Sequence, residues 1–315
     1  MSQVLPLPNG PERDPKSARG ELAHPFGALQ EPAPRMGEML VASGRLSGDD
    51  VQLLLDHQAS TGRLFGETGI TLGLLDQGDV QQVLAAQFGY APPDPGSAPA
   101  IAELPAAGVA DSGAAEHLRA LRDQLMLRWF ESDDTPQALA IVSPGAGEGR
   151  SWIAANLALL FAQVGKRTLL IDADLRRPRQ HQIFGVAGRV GLSAVLAGRA
   201  GGEAIVELAG TPGLWLLPAG VIPPNPHELV ARRAFAGLML AMRSTYDVIL
   251  VDTPPAESCA DAGLIAARAG AALVVACRDR SSVARLGALT DDLRHFGVTT
   301  VGAVLNGVPA HARAR

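Results

Sequence analysis

The stretch Ser143–Ser151, SPGAGEGRS, constrains this chain more than any other. It follows a short apolar run, Ala138–Val142, and leads into the helix-like segment AANLALLFAQVG. Strand, glycine-rich turn and helix in that order form a phosphate cradle, because successive backbone N–H groups and the helix start converge on one anion. Gly145, Ala146, Gly147, Glu148, Gly149, Arg150, Ser151 and Trp152 are therefore candidate nucleotide contacts. The usual form of such a loop ends in Gly-Lys-Ser or Gly-Lys-Thr, and here Arg150 stands at the lysine position. Of the 27 basic residues only Lys16 and Lys166 are lysines, so an arginine at 150 also follows the bias of the whole chain. Guanidinium still offers charge and forked hydrogen bonds to phosphate oxygens, but it is longer and planar, so binding should survive better than turnover.

Six apolar runs share the rest of this region: Ala138–Val142, Thr168–Ile171, Leu214–Leu217, Val248–Val251, Ala272–Ala276 and Thr300–Leu305. Helical stretches separate most of them, which predicts an α/β domain whose mostly parallel sheet is covered by helices on both faces. Chemistry in such a sheet collects at the C-terminal ends of the strands. The second run ends in LLIDADLRRPRQH, with Asp172 and Asp174 as candidates for metal ligation or proton abstraction and Arg176 behind them as a phosphate contact. The fourth ends at Asp252, placed to hold Mg²⁺ together with the Ser151 hydroxyl and Asp172. The sixth ends at Asn306, placed to touch a base. An aspartate at a strand end is often only a helix cap; the conjunction and order of these groups point to an ATP–Mg²⁺ site.

Ahead of this domain the chain predicts a smaller one. Residues 1–33 are rich in Pro, Gly and charge and read as a disordered tail. Between Gly37 and Gln87 there is an internal repeat: shifted by 29 positions, GEMLVASGRLSGDDVQLLLDHQ matches GETGITLGLLDQGDVQQVLAAQ at nine of 22 positions. Each copy reads as a short helix, a turn at Gly44 or Gly73, an N-cap at Ser47 or Asp76, and a second helix. Residues 34–90 thus form a small all-α domain, and the Pro/Ala-rich 91–112 reads as a linker without a core of its own. The α/β domain then spans 113–308, with 309–315 as a tail. A helix follows the linker, Glu116–Trp129, with Leu118, Leu121, Leu125 and Met126 on one face and Glu116, Arg119 and Arg122 along one side.

No run approaches the roughly 20 apolar residues of a membrane span, and the N-terminus lacks the basic start and apolar core of a signal peptide, so a cytoplasmic protein is expected. Cys259 and Cys277 have no metal spacing and read as small buried residues. A net charge of −5 argues against sequence-independent nucleic-acid binding, and no nucleic-acid partner is expected.

The region Glu116–Val308 resembles a bacterial tyrosine kinase of the polysaccharide co-polymerase group, most closely the EpsG type. The resemblance rests on the GEG-basic-Ser loop, the Asp172-x-Asp174-x-Arg176 motif, the Asp252 strand and PPNPHEL, Pro223–Leu229. It implies transfer of the ATP γ-phosphate to tyrosine, a membrane co-polymerase or chain-length determinant as partner, and peripheral association with the inner membrane through it. It also implies ring-forming homo-oligomers through Glu116, Arg119 and Arg122. Relatives often carry a C-terminal tyrosine cluster; here the tyrosines are Tyr90 and Tyr246, so the acceptor is expected elsewhere. The N-terminal repeat resembles the MshEN-type domain of secretion ATPases, some of which bind cyclic di-GMP, which would place that ligand at Arg35, Gly37, Leu40 and Gln58. Protein docking is the alternative use of such a module. Two other readings of the whole chain stay open: a nucleotide-gated scaffold that transfers no phosphate, favoured by Arg150, and a MinD- or ParA-like positioning ATPase, disfavoured because Gly145 stands where those carry a second lysine.

Overall fold

The computed structural model describes residues 35–87, 104–107, 113–131 and 137–307. The expected tail 1–33, Tyr90, most of the expected linker and the expected tail 309–315 lie outside the described residues.

The duplication in sequence is a duplication in structure. Helices α1 (Met36–Ala42) and α2 (Gly48–Thr61) recur 29 positions later as α3 (Phe65–Thr71) and α4 (Gln77–Gln87). Gly44 and Gly73 take the left-handed turn conformation, at φ 72° and 70°. Ser47 and Asp76 then start the second helix of each copy, accepting from Asp50 N at 3.2 Å and Asp79 N at 2.8 Å. These bonds satisfy orphan donors of the first turn and contribute about 1 kcal/mol each. Leu40, Leu46, Leu54, Leu75 and Val83 close a shared core. Where the first copy buries Leu40, the second has Gly69, and a Cβ there would meet Leu75 Cδ1 at 2.5 Å; Leu75 fills the space.

The α/β domain holds a seven-stranded sheet in the order β3-β4-β2-β5-β1-β6-β7. Its strands are β1 (Gln137–Val142), β2 (Thr168–Asp172), β3 (Val206–Glu207), β4 (Leu214–Leu217), β5 (Val248–Asp252), β6 (Ala271–Cys277) and β7 (Thr299–Asn306). All pairings are parallel except β3 with β4, a two-residue antiparallel edge too short to show in an apolar pattern. The strands are covered by α5 (Gly113–Leu125), α6 (Arg150–Gln163), α7 (Gln180–Ile183), α8 (Leu192–Leu196), α9 (Pro226–Ala231), α10 (Arg233–Arg243), α11 (Asp261–Ala269) and α12 (Val283–His295). Two apolar clusters, one on each face of the sheet, form the core. Tyr246 belongs to the second, 7% exposed and edge-on to Trp215 at 5.4 Å.

Helix α6, which leaves the phosphate loop, is buried nearly all round, as its mostly apolar sequence requires. Part of its cover is unexpected. Residues Pro105–Ala107, inside the stretch read as linker, form a 3₁₀ turn whose Ala106 is fully buried against α6, with Leu104 beside it. Asn156 Oδ1 accepts from Ala106 N at 3.1 Å, and Gln163 Nε2 donates to Ala106 O at 2.8 Å. Two amides on a buried helix thereby clamp the backbone of one residue on both sides, and this segment has a core after all: that of the α/β domain. The helix expected over 116–129 is α5, starting at Gly113 and relaxing into a π-helical turn, Met126–Phe130, that sets Phe130 edge-on to Phe161 at 5.1 Å. Among the described residues no helix is long and apolar enough to cross a membrane.

Candidate nucleotide site

The sheet order brings the sequence motifs together. β5 lies between β1 and β2, so the phosphate loop, Asp252 and the Asp172–Asp174 segment emerge from neighbouring strands. The register of β2 and β5 sets Asp172 directly opposite Asp252. Both are fully buried. Burial pushes Asp252 up to about 6, against the pull of the Ser151 hydroxyl and the Gln180 amide. Burial first, and the charge of Asp252 second, push Asp172 well above the usual carboxylate range.

The two carboxylates are not equivalent. Asp172 is committed to backbone: Oδ1 accepts from Asp174 N at 3.3 Å, and Oδ2 from Arg179 N at 3.1 Å and Gln180 N at 2.9 Å. Asp252 Oδ2 accepts from Gln180 Nε2 at 2.7 Å, while its buried Oδ1 has no hydrogen-bond partner among the described residues. An orphaned buried oxygen on a carboxylate that also feels the Ser151 hydroxyl suits a hard divalent cation, so Asp252 and Ser151 fit Mg²⁺. Asp172 sits behind them as a brace for the following loop. Asp174 is different again. Its Oδ1 accepts from Arg176 N at 3.1 Å and Arg177 N at 2.9 Å, and the residue lines an open cleft.

Arg150 turns under the loop. Its side chain is 7% exposed; Nε donates to Thr253 O at 2.9 Å, and Nη1 donates to Gly145 O at 2.7 Å and to Ser143 Oγ. Burial lowers its pKa, opposed by the carboxylates of Asp252 and Asp174. Three of its donor contacts are therefore spent on the protein, and Nη2 carries no hydrogen bond among the described residues. The arginine staples the loop to the end of β5 through its planar fork, a job that an ammonium does not do.

Several predicted contacts hold the loop through its backbone. Glu148 is 2% exposed and faces inward, accepting from Gly145 N at 2.7 Å and from Ser281 Oγ at 2.6 Å. Asn306 Nδ2 donates to Glu148 O at 3.1 Å and packs so close to Gly149 that a Cβ there would strike it. Gly149 also has φ 102°, so both space and conformation require glycine. Arg280 Nη1 donates to Gly147 O at 2.8 Å, and Ala146 N donates to Glu257 Oε1 at 3.3 Å.

Arg176, expected at the phosphates, is elsewhere. Its Nε donates to Asp261 Oδ2 at 3.0 Å, and Asp261 Oδ1 pairs with His227 Nδ1 at 2.7 Å. Burial alone would raise Asp261; the His227 and Arg176 contacts reverse that and hold it below the usual range. This gives PPNPHEL a physical role, because His227 ties its helix to the Asp172–Arg176 segment through a buried carboxylate. Cys259 and Cys277, expected to be buried, are free thiols at partly exposed positions.

Gln180 is the site residue that the motifs do not reveal. Its side-chain Nε2 donates to Asp252 Oδ2 and to Ser151 O at 3.0 Å while its backbone N–H donates to Asp172 Oδ2, so one fully buried residue joins all three motifs. Its only sequence signal is Pro178 shortly before it, marking a loop that ends in a helix start.

On α5, Glu116 and Arg119 pair within the helix at 3.2 Å, and Arg122 pairs with Asp123 at 2.7 Å. In the N-terminal domain Arg35 is exposed and Gln58 half-buried, whereas Gly37 and Leu40 are core residues; a Cβ on Gly37 would meet Val51 Cγ1 at 3.1 Å.

Residues 139–314 match the CobQ/CobB/MinD/ParA nucleotide binding domain family. The chain is 40% identical over 199 residues to a putative tyrosine-protein kinase EpsB of Ralstonia solanacearum, covering 63% of this chain and 26% of that protein. It is 34% identical over 192 residues to tyrosine-protein kinase YwqD of Bacillus subtilis, covering 61% of this chain and 80% of that protein. The kinase domain of Escherichia coli tyrosine kinase ETK superposes with a TM-score of 0.59 at 33% identity, covering 64% of this chain and 78% of that one. The chain thus spans about a quarter of the EpsB relative and most of the Bacillus one.

Proposed function

The chain belongs to the CobQ/CobB/MinD/ParA nucleotide-binding family and, within it, to the bacterial tyrosine kinases, and on that premise we propose that it binds ATP with Mg²⁺ and phosphorylates protein tyrosine. The observation that carries this reading is the β2–β5 register, which sets a cation-fit carboxylate beside the phosphate loop and leaves Asp174 facing the cleft.

Loop amides and Arg150 Nη2 hold the phosphates, and Ser151 and Asp252 hold the cation, with Asp172 and Gln180 fixing their positions. A bound Mg²⁺ would supply positive charge against the negative charge of the phosphates. The acceptor phenolic oxygen forms a bond to the γ-phosphorus, and the bond from that phosphorus to the bridging oxygen breaks, so that ADP leaves with the electron pair. The phenolic proton passes to Asp174, whose Oδ1 is already fixed by two backbone amides and whose Oδ2 has no hydrogen bond among the described residues.

Label transfer from γ-labelled ATP to a Glu/Tyr copolymer tests the activity, with Asp174→Asn and Asp172→Asn as controls. Wild-type label above both controls is expected; label at their level would sink the kinase reading. A nucleotide-gated scaffold is the second reading, favoured by the commitment of Arg150 to the carbonyls of Gly145 and Thr253. Assembly driven by Mg²⁺–ATP without any label would favour it.

In the cell we place the protein in exopolysaccharide assembly, in the cytoplasm at the inner membrane, acting on a membrane co-polymerase that sets chain length. Ring assembly would exchange the intrahelical pairs of Glu116, Arg119 and Arg122 for contacts with a second copy. For the N-terminal domain we favour protein docking, since Gly37 and Leu40 are spent on packing. Calorimetric heat on titrating cyclic di-GMP into the full chain would reverse that preference.

A further inference from the structure

The phosphate loop is closed on one flank and open on the other. From the β6–β7 side Arg280, Ser281 and Asn306 are bonded onto it. On the β2 side a cleft of about 580 Å³ opens between the loop and the Asp174–Ile183 segment. One wall is apolar: Leu104 from the docked turn, the half-buried Trp152 from the first turn of α6, and Ile183. The other carries Asp174, Arg177 and Arg179. Both arginine side chains are exposed, and among the described residues neither guanidinium has a hydrogen bond or an ion pair. Other described arginines, among them Arg128, Arg189 and Arg199, are also without such partners; what sets Arg177 and Arg179 apart is that they line the cleft beside Asp174. Arg122, Arg167, Arg176, Arg285 and Arg294 are all held by carboxylates.

The floor of the cleft is the phosphate loop itself, Ala146–Ser151, and we propose that its outer part, beyond that phosphate seat, is the acceptor subsite and that it selects a tyrosine flanked by acidic residues. The phenol ring lies on the apolar wall of Trp152, Leu104 and Ile183, with its hydroxyl at Asp174, while carboxylates on either side of the tyrosine pair with Arg177 and Arg179. The proposal rests on the kinase reading for the identity of the ring as an acceptor. The chemistry of the walls carries the rest. An aromatic slot gives area without strict sequence demand, whereas two unpaired guanidiniums take anions in forked geometry. The chain as a whole is net negative, at −5, so an acidic peptide needs such a local cationic surface to approach at all. The described tyrosine, Tyr246, does not compete for the slot: it is 7% exposed and precedes β5, at the opposite end of the sheet from the loop.

Fluorescence anisotropy with two labelled peptides tests this, one with a tyrosine between glutamates and one between alanines, added to the full chain with Mg²⁺ and a non-hydrolysable ATP analogue. The glutamate peptide should bind roughly tenfold more tightly at low salt, the gap closing as salt screens the pairs. In the Arg177→Gln/Arg179→Gln double variant the ratio should fall to within about twofold, and Trp152→Ala should weaken both peptides alike. Equal binding of the two peptides by the wild type overturns the proposal. So does a double variant that loses nucleotide affinity by the same factor as peptide affinity, because the arginines would then serve phosphate. Discrimination between peptides without phosphotyrosine formation would support the subsite and count against the kinase reading; phosphotyrosine formation without discrimination would do the reverse.

Discussion

The two flanks of the phosphate loop are built on opposite principles. On the β6–β7 flank every contact is a satisfied hydrogen bond between protein groups: Glu148 to Gly145 and Ser281, Asn306 to Glu148, Arg280 to Gly147. On the β2 flank polar atoms are left over: Asp252 Oδ1 is buried and orphaned, and the Arg177 and Arg179 guanidiniums are free of carboxylates among the described residues. A satisfied network holds shape and has nothing left to offer a ligand. An unsatisfied one stores binding capacity at a cost in stability. One flank holds the loop; the other meets substrate.

The largest effect should come from the open flank. Asp174→Asn should slow label transfer by roughly 10²–10⁴-fold with nucleotide affinity far less changed. Equal losses in both would make Asp174 a binding residue and erase the division.

Next is the cost of the buried Asp252. A carboxylate moved from 3.8 to about 6 in the fold favours the protonated form there, so its contribution to stability is full below about pH 4 and lost as pH rises past 6. Asp252→Asn escapes that loss. The nucleotide-free variant should be more stable than wild type at pH 8, by an amount on the order of 3 kcal/mol, and show no such gain near pH 4. Its stabilisation by Mg²⁺–ADP should be largely gone. Denaturant melts at the two pH values check this, and a difference independent of pH would mean that burial does not strain the group.

The closed flank predicts the reverse pattern. Glu148→Ala leaves Gly145 N and Ser281 Oγ without their acceptor, which should cost about 2 kcal/mol in thermal stability and weaken nucleotide binding in parallel. Smallest should be Asn306→Ala, about 1 kcal/mol, because it removes one bond to Glu148 O at a partly exposed site. If Asn306→Ala changed the preference between ATP and GTP, the residue would be reading the base rather than holding the loop.

Much of this architecture is legible in local sequence. Six apolar runs name six strands within a residue or two; for most of them the reason is that a strand buried on both faces admits little else, whereas the edge strand β7 is partly exposed along its length. The 29-residue repeat and its caps at Ser47 and Asp76 are equally plain, since capping is decided within one turn of helix. The edge strand Val206–Glu207 escapes notice because two residues have no period. The docked turn Pro105–Ala107 escapes because its partners, Asn156 and Gln163, are about 50 residues away.

Within the site the same boundary holds. The sequence alone determined which groups are present: a phosphate loop, aspartates at the ends of two strands and an arginine in place of lysine, all fixed by residue type and spacing. Only the tertiary structure decided what each one does. It set Asp172 against Asp252, turned Arg150 under the loop, drew Arg176 away to Asp261, and put Gln180 at the junction. Strand order and side-chain direction made those choices. A linear pattern records which donors and acceptors a chain carries; which of them are spent on one another is settled when the sheet closes around them.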